Sequence, residues 1–334
     1  MTERSNGPTE RDIGRSTDEE LEYEPKGSTE VTTMPWIDSH QHTQTLTLND
    51  RERFDLSGCR AAVMIAAGYY WSPYRPVSPS DVRFLWDDAL RRGRSFSRAH
   101  FYEQYIAIGI HTWSRVDDWQ ELINALPGYA NEKEVVAIGE TGIESTQHTL
   151  QWDLEDQRAV LAAQMDVARE EDLAVIVHTP GSNKGAIPEW MLDNYEENNA
   201  NFTESILDPE NAKLEAVEID IEIMNDIGLK DERVLIDHAD ETVIEYVMDE
   251  TNCYLGFTVS APWLRNIDVE VIAEAIETYG SDRIIIDTDL AGSLKNDPFC
   301  MKRTMFDLAR LGVSESDIRN VVYENPKQLY GIDA

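Results

Sequence analysis

Basic side chains are what this sequence has least of. Eight lysines and 21 arginines stand against 64 aspartates and glutamates, so the 334-residue chain has a formal net charge of −35. A broad electrostatic grip on nucleic acid needs lysine and arginine set against phosphates. The balance therefore disfavours a nucleic-acid partner, though it leaves room for a local basic patch. Such charge repels itself unless salt screens it, and an acidic, lysine-poor surface is what a halophilic protein is expected to carry. Cysteine is scarce too. Cys59, Cys253 and Cys300 have no C-x-x-C spacing, which argues against a disulfide framework and leaves reduced thiols in or near the core. Long hydrophobic runs are missing: no apolar stretch approaches ~18 residues, so no membrane partner is expected. The first residues lack the apolar core of a signal peptide, which points to the cytoplasm. Phosphate-cradling glycine loops, a serine elbow and a catalytic-cysteine context are also absent.

What is present is a repeating rhythm. Hydrophobic residues make up 41% of the chain, enough for a substantial core. Residues 1–33 hold nine acidic and four basic side chains with almost no apolar periodicity; they read as a disordered acidic arm. Met34 opens the patterned part, 34–334, and the arm is assigned no chemistry, since it could follow from the choice of start codon. From Trp36-Ile37 onward, short apolar runs alternate with helical patterns. The runs are Ala61–Ala67, Tyr105–Ile110, Val135–Gly139, Leu173–Val177, Val234–Asp237, Tyr254–Val259 and Ile284–Asp287. Near-continuous hydrophobicity over so few residues marks parallel strands buried on both faces. Helical patterns lie at Asp81–Arg92, Val116–Tyr129, Asp153–Asp172, Glu241–Glu250, Asp268–Tyr279 and Pro298–Leu311. Eight strands alternating with helices predict a single α/β domain, a (β/α)8 barrel of the TIM type. The connections after strands two and five are long, and both leave the end of a barrel where active sites are built.

The chemistry-bearing residues stand at those ends. Strand one finishes in Ile37-Asp38-Ser39-His40-Gln41-His42. Alternation along an extended chain points both imidazoles the same way, so they can chelate one ion. Taken alone, a His-x-His pair is weak. Strand four, however, ends in Gly139-Glu140-Thr141-Gly142, strand five in His178, strand six in Asp237-His238 and strand eight in Asp287-Thr288-Asp289. Four of the seven histidines stand at these strand ends. Four imidazoles with two or three carboxylates suit a pair of divalent cations, Zn2+ first, with Mn2+ or Mg2+ admitted by the carboxylates. A binuclear centre lowers the pKa of a bridging water and clamps attacking and leaving oxygens, so hydrolysis is the expected reaction. Either Asp289 or Asp287 could face the ions, and Asp289 is preferred. A carboxylate beside the attacking water is a natural general base.

The segments IDSHQH, AIGIHTW, AIGETGIES, LAVIVHTP, VLIDHADETV, YLGFTV, IIIDTDLA and ENPKQLYGI, in this order over residues 36–332, resemble the TatD family of metal-dependent hydrolases within the amidohydrolase superfamily. They look closest to an uncharacterised archaeal branch. The resemblance implies that His40 and His42 bind one metal, Glu140 bridges both, and His178 and His238 bind the second. It implies that Asp289 binds the first metal and accepts a proton from the attacking water. Several positions depart from the family pattern: Glu144 stands where Asp is usual, Thr112 replaces Pro, Ala239-Asp240-Glu241 replaces Cys-Phe-Ser, and Asp287-Thr288-Asp289 replaces Glu-Thr-Asp. They leave the implied ligands in place and bear on the substrate.

Three further residues are candidates for substrate contact: His111 at the end of strand three, Arg91 in the dense run Arg91, Arg92, Arg94 and Arg98, and Lys184 in the loop after strand five. Each has a plainer reading, as a strand-end histidine, a cationic helix terminus and a loop lysine. The expected activity is cleavage of a phosphodiester or related ester, with deoxyribonuclease activity as one form of it. An amidohydrolase acting on a small amide, lactone or phosphomonoester is the alternative, and a non-catalytic metal-binding scaffold is the reading from another class.

Overall fold

In a computed structural model of the chain, residues 29–66, 76–112, 116–144, 153–180, 211–260, 267–291 and 297–334 are described. Lys184 and residues 1–28 of the acidic arm lie outside the described residues.

Eight strands follow one another around a parallel sheet: β1 Trp36–His42, β2 Cys59–Ile65, β3 Glu103–Ile108, β4 Val135–Thr141, β5 Ala174–His178, β6 Val234–Asp237, β7 Tyr254–Thr258 and β8 Ile284–Asp287. A two-residue strand, β9 Leu290–Ala291, follows β8 and pairs with β1 through Gln41↔Leu290 and His42↔Ala291. That pairing joins the two edges, so the sheet is the (β/α)8 barrel that the alternation predicts. Strand residues are buried almost without exception, because side chains on one face fill the barrel and those on the other meet the helices. The seam between β8 and β1 is reinforced by side chains. Asp38 accepts from Thr288 N at 2.9 Å and from Thr288 Oγ1 at 2.6 Å, and Asp289 N donates to His40 O at 2.9 Å.

Most helices fall where the periodicity places them, with differences at the ends. The pattern over Asp81–Arg92 continues to Ala99, because Gly93 and Phe96 extend its buried face; Ser78 and Asp81 close its first turn as a capping box. The helices Leu48–Ser57 and Ala212–Ile227 are not evident from the pattern. The first buries only Phe54 and Ser57, and the second begins directly after residues 181–210, which are not described. Ordered structure also starts before residue 34. Thr29–Thr33 is a short helix with Val31 fully buried, although acidic neighbours mask it in the sequence. Asn325-Pro326 opens the helix Asn325–Tyr330, which follows directly on the π-helical turn Asn320–Glu324. Asn325 Nδ2 donates to Ser281 O and Ile284 O, both at 2.7 Å, docking this helix at the start of β8. The three cysteines are buried free thiols. Among the described residues no helix is long and apolar enough to cross a membrane.

Candidate metal centre

Ladder register sets the site. His178 pairs with Asp237 across β5 and β6, and Thr258 with Asp287 across β7 and β8. These strand ends therefore reach one level at the mouth of the barrel, together with His40, His42 and Glu140. Glu140 is the hub. Its Oε1 lies 2.5 Å from His178 Nδ1 and 2.9 Å from His238 Nε2, while Oε2 lies 3.2 Å from His111 Nε2 and 3.5 Å from His40 Nε2. Asp289 Oδ1 stands 2.9 Å from His42 Nε2 and 3.5 Å from His40 Nε2. Three sets have donor atoms within 4.8 Å of one another: His40, His42 and Asp289; His40, Asp237 and His238; His111, Glu140 and His178.

Local backbone choices make this convergence possible. Gly139 and Gly142 let β4 press against β5. A Cβ on Gly142 would sit 2.4 Å from His178 O, and one on Gly139 2.8 Å from Ile176 O, at φ of 148° and 153°. The approach brings Glu140 onto His178. His238 and Asp289 adopt left-handed φ of 57° and 42°, a conformation that costs a residue with a Cβ on the order of 1 kcal/mol or more. The surroundings hold both. His238 N donates to Asp237 Oδ1 at 2.7 Å, and His238 O accepts from Lys213 Nζ and from Thr179 Oγ1 at 3.2 Å. Asp289 is held by its backbone bond to His40 O.

The outer hydrogen bonds orient the rings. His40 Nδ1 donates to Asp237 Oδ2 at 2.7 Å, and His238 Nδ1 donates to Thr258 Oγ1 at 2.7 Å, which passes its own proton toward Asp287 Oδ1 at 3.1 Å. Both bonds leave Nε2 pointing at the carboxylate hub, the arrangement in which imidazoles ligate metals. Glu144, the residue at the family's Asp position, brings Oε2 to 3.4 Å from His178 Nε2. Gln164 bridges the ends of β3 and β4, accepting from Ile110 N at 2.6 Å and donating to Ile110 O and Thr141 Oγ1.

Electrostatics follow from burial and charge. Burial opposes ionisation of Glu140, yet the imidazoles of His40, His178 and His111 hold its carboxyl well below the usual carboxylate range. Burial likewise opposes charge on His40 and His178, but Glu140 and the neighbouring carboxylates push both up to about 10. Burial keeps His111 below the ordinary histidine value despite Glu140 beside it. The cluster thus demands positive charge. His40 Nε2 is buried, aimed at two carboxylates 3.5 Å away, and without a hydrogen-bond partner among the described residues. Divalent cations satisfy both demands, so these residues fit metal binding.

The two strand-eight carboxylates separate cleanly. Asp289 faces His40 and His42 with its side chain 17% exposed, whereas Asp287 is fully buried below the cluster. Burial and the adjacent Asp237 raise Asp287 well above the usual carboxylate range. Of the candidate substrate residues, His111 joins the cluster and Arg91 does not. Arg91 lies with Arg94 and Arg98 on the outer helix Pro79–Ala99, in a groove of about 470 Å³ against Tyr129 and Glu132. It pairs with Asp88, and Arg94 reaches Glu132 and Glu134 at the entry end of β4, opposite the mouth. A helix running back along the barrel carries its last turns away from the strand ends. Lys184 is outside the described residues.

Sequence reasoning missed the supporting shell: Asp237 as a ring partner, Thr258, Gln164, Lys213 and Asp220. Asp220 Oδ1 accepts from Ile143 N at 3.0 Å, fixing the chain just after Gly142. Lys213 and Asp220 share the buried stripe of Ala212–Ile227 with Ala216, Val217, Ile221 and Met224. Because that helix is not evident in the sequence pattern, neither residue could be placed on a buried stripe beforehand.

Fold and site together define a barrel hydrolase whose mouth gathers imidazoles and carboxylates fit for divalent cations. The chain matches the family model described as TatD related DNase over residues 37–331, and it belongs to that family. An uncharacterized metal-dependent hydrolase of Methanocaldococcus jannaschii is 29% identical over 294 residues, covering 88% of this chain and 99% of the relative. Among solved structures, a TatD-like protein from Archaeoglobus fulgidus superposes with a TM-score of 0.62 at 19% identity, covering 89% of this chain and 100% of that one. The phosphotriesterase homology protein of Escherichia coli, solved with phosphate in its active site, gives 0.58 at 12% identity over 89% and 99%. A beta-aspartyl dipeptidase from Fervidobacterium islandicum gives 0.60 at 15% over 90% and 73%. At these identities the structural likenesses speak for the fold.

Proposed function

We propose that this protein holds two divalent cations, Zn2+ by preference, and uses them to hydrolyse a phosphodiester or related ester. The observation that carries the reading is the division of labour at Glu140, whose two oxygens face separate imidazoles. His40, His42, Glu140 and Asp289 would hold one ion; Glu140, His178 and His238 would hold the other. When bound, the pair supplies an acidified water and a Lewis acid for the substrate oxygen. Asp289, the more exposed carboxylate, would accept the proton of the attacking water. Asp237 and Thr258 keep the His40 and His238 rings in place while charge shifts. The burial of the cluster strengthens each of these interactions.

A small substrate is favoured over a long polyanion. The densest arginine run lies on the outer helix, where Arg91 and Arg94 are already paired with carboxylates, and the chain as a whole is strongly acidic. The fold is shared by proteins named for quite different bonds, so the fold does not choose the bond. The test is metal stoichiometry by mass spectrometry on wild type, His40→Ala and Asp289→Asn, followed by assays on bis-aryl phosphodiesters, simple esters, lactones and oligonucleotides. Two ions in wild type, fewer in His40→Ala, and ester cleavage abolished in Asp289→Asn are expected. Wild-type protein that takes up no metal when Zn2+ or Mn2+ is supplied would sink the reading, and amide or lactone cleavage alone would replace the ester assignment.

A further inference from the structure

His111 is the histidine of the cluster that the two-metal reading leaves without a role. It lies three residues past the end of β3, and the backbone just before it is pinned. Gln164 takes both the N–H and the C=O of the preceding Ile110 and ties them to Thr141 Oγ1, one residue from Glu140. The His111 side chain is 8% exposed, and its Nε2 lies 3.2 Å from Glu140 Oε2. Its ring centroid is 5.5 Å from that of His178. The donor atoms of His111, Glu140 and His178 all fall within 4.8 Å of one another, close enough to surround one cation.

We infer that His111 is a fifth imidazole ligand of the centre, joining Glu140 and His178 on the same divalent cation; the inference rests on the two-metal reading above. A residue that meets substrate at a barrel mouth presents an accessible edge. His111 instead turns its nitrogen inward, onto the hub carboxylate, from a clamped backbone. The chemistry it adds is imidazole, so the ion concerned is a first-row cation with nitrogen preference, such as Zn2+ or Co2+, and not Mg2+. The consequence is an asymmetric pair. The ion held by Glu140 and His178 gains a ligand from the neighbouring strand and becomes the more enclosed. The set His40, His42 and Asp289 would be the more open of the two, since the Asp289 side chain is 17% exposed.

The experiment is Co2+ titration of chelator-stripped full-length protein, followed by visible absorption and calorimetry, for wild type, His111→Ala and His111→Gln. The glutamine variant keeps the side-chain bulk, and thermal melts of the metal-free proteins report on folding. Two binding steps are expected in wild type. In both variants one step should weaken at least about tenfold, with its d–d absorption altered, while the other step holds. If both variants keep both steps at wild-type affinity, His111 is not a ligand, and a rise in KM alone would make it a substrate contact instead. Wild-type protein with no binding step at all would bring down the two-metal reading, an outcome distinct from loss of this inference alone.

Discussion

In a chain with few lysines, two are buried among the described residues, and they do different work. Lys213, at the start of the helix Ala212–Ile227, donates to the backbone oxygen of His238 and stands 3.6 Å from Asp240 Oδ2. Lys302, on the helix Cys300–Arg310, donates to Met34 O at 2.6 Å, Val31 O at 3.2 Å and Thr32 O at 3.3 Å. Both ammonium groups cap carbonyls inside the protein. Lys213 braces a left-handed residue that presents a candidate metal ligand, and it has a carboxylate partner. Lys302 clasps the segment that leads into β1 and relies on backbone oxygens. The same group in the same kind of environment thus serves the site in one region and the fold in the other.

The comparison breaks most easily at Lys213. Lys213→Met removes the donor to His238 O and leaves Asp240 buried without its cation, so a loss of about 3 kcal/mol or more is expected in denaturant unfolding. Affinity for the ion proposed to lie at His178 and His238 should fall with it. The double variant Lys213→Met, Asp240→Leu separates the two effects. Removing both charges should recover most of the stability, while His238 stays unbraced and metal affinity stays low. Recovery of both properties would show that Lys213 has no positioning role.

Lys302→Met should cost about 2 kcal/mol, the scale of hydrogen bonds made by a charged donor, and leave Co2+ binding untouched. The loss should appear first in the segment Thr29–Met34, where hydrogen exchange would speed up while the strand-end amides keep their protection. Weakened metal binding in this variant would contradict the division between the two lysines.

These lysines also mark how far the sequence could be read. Ligand candidates occupy strand ends, and strands this apolar announce where they stop, so His40, His42, Glu140, His178, His238 and Asp289 could be named from the pattern and the family resemblance. The structure brings all six together. Their supports could not be named in the same way, because each bond joins parts of the chain that no local pattern links. His40 and Asp237 are 197 residues apart, Ile143 and Asp220 are 77 apart, and Ile110 and Gln164 are 54 apart. Arg91 shows the opposite error. A dense basic run is conspicuous in an acidic sequence, but a helix periodicity does not say which turns lie at the mouth, and this run occupies the turns near the entry end of β4. The start of the fold was missed for a compositional reason: Val31 is fully buried, yet it sits in an acidic stretch whose average character is that of an arm.

The finest separation of the two lysines is in pH. Burial lowers Lys302 from the ordinary 10.5 to about 8, with backbone oxygens as its hydrogen-bond partners. Burial lowers Lys213 as well, but Asp240 works to keep its proton. For Lys302 the sign is set by linkage: between about pH 8 and 10.5 the unfolded chain still holds the proton that the folded chain has released, so stability rises with pH across that window. Wild type should therefore gain on Lys302→Met as the pH is raised from 8 toward 10, in parallel denaturant titrations at constant salt. The gain should be modest, because the carbonyls also stabilise its charge. A gap between the two proteins that stays constant over this range would mean that the carbonyl bonds hold the Lys302 proton as firmly as water does, and Lys302 would then differ from Lys213 in location alone.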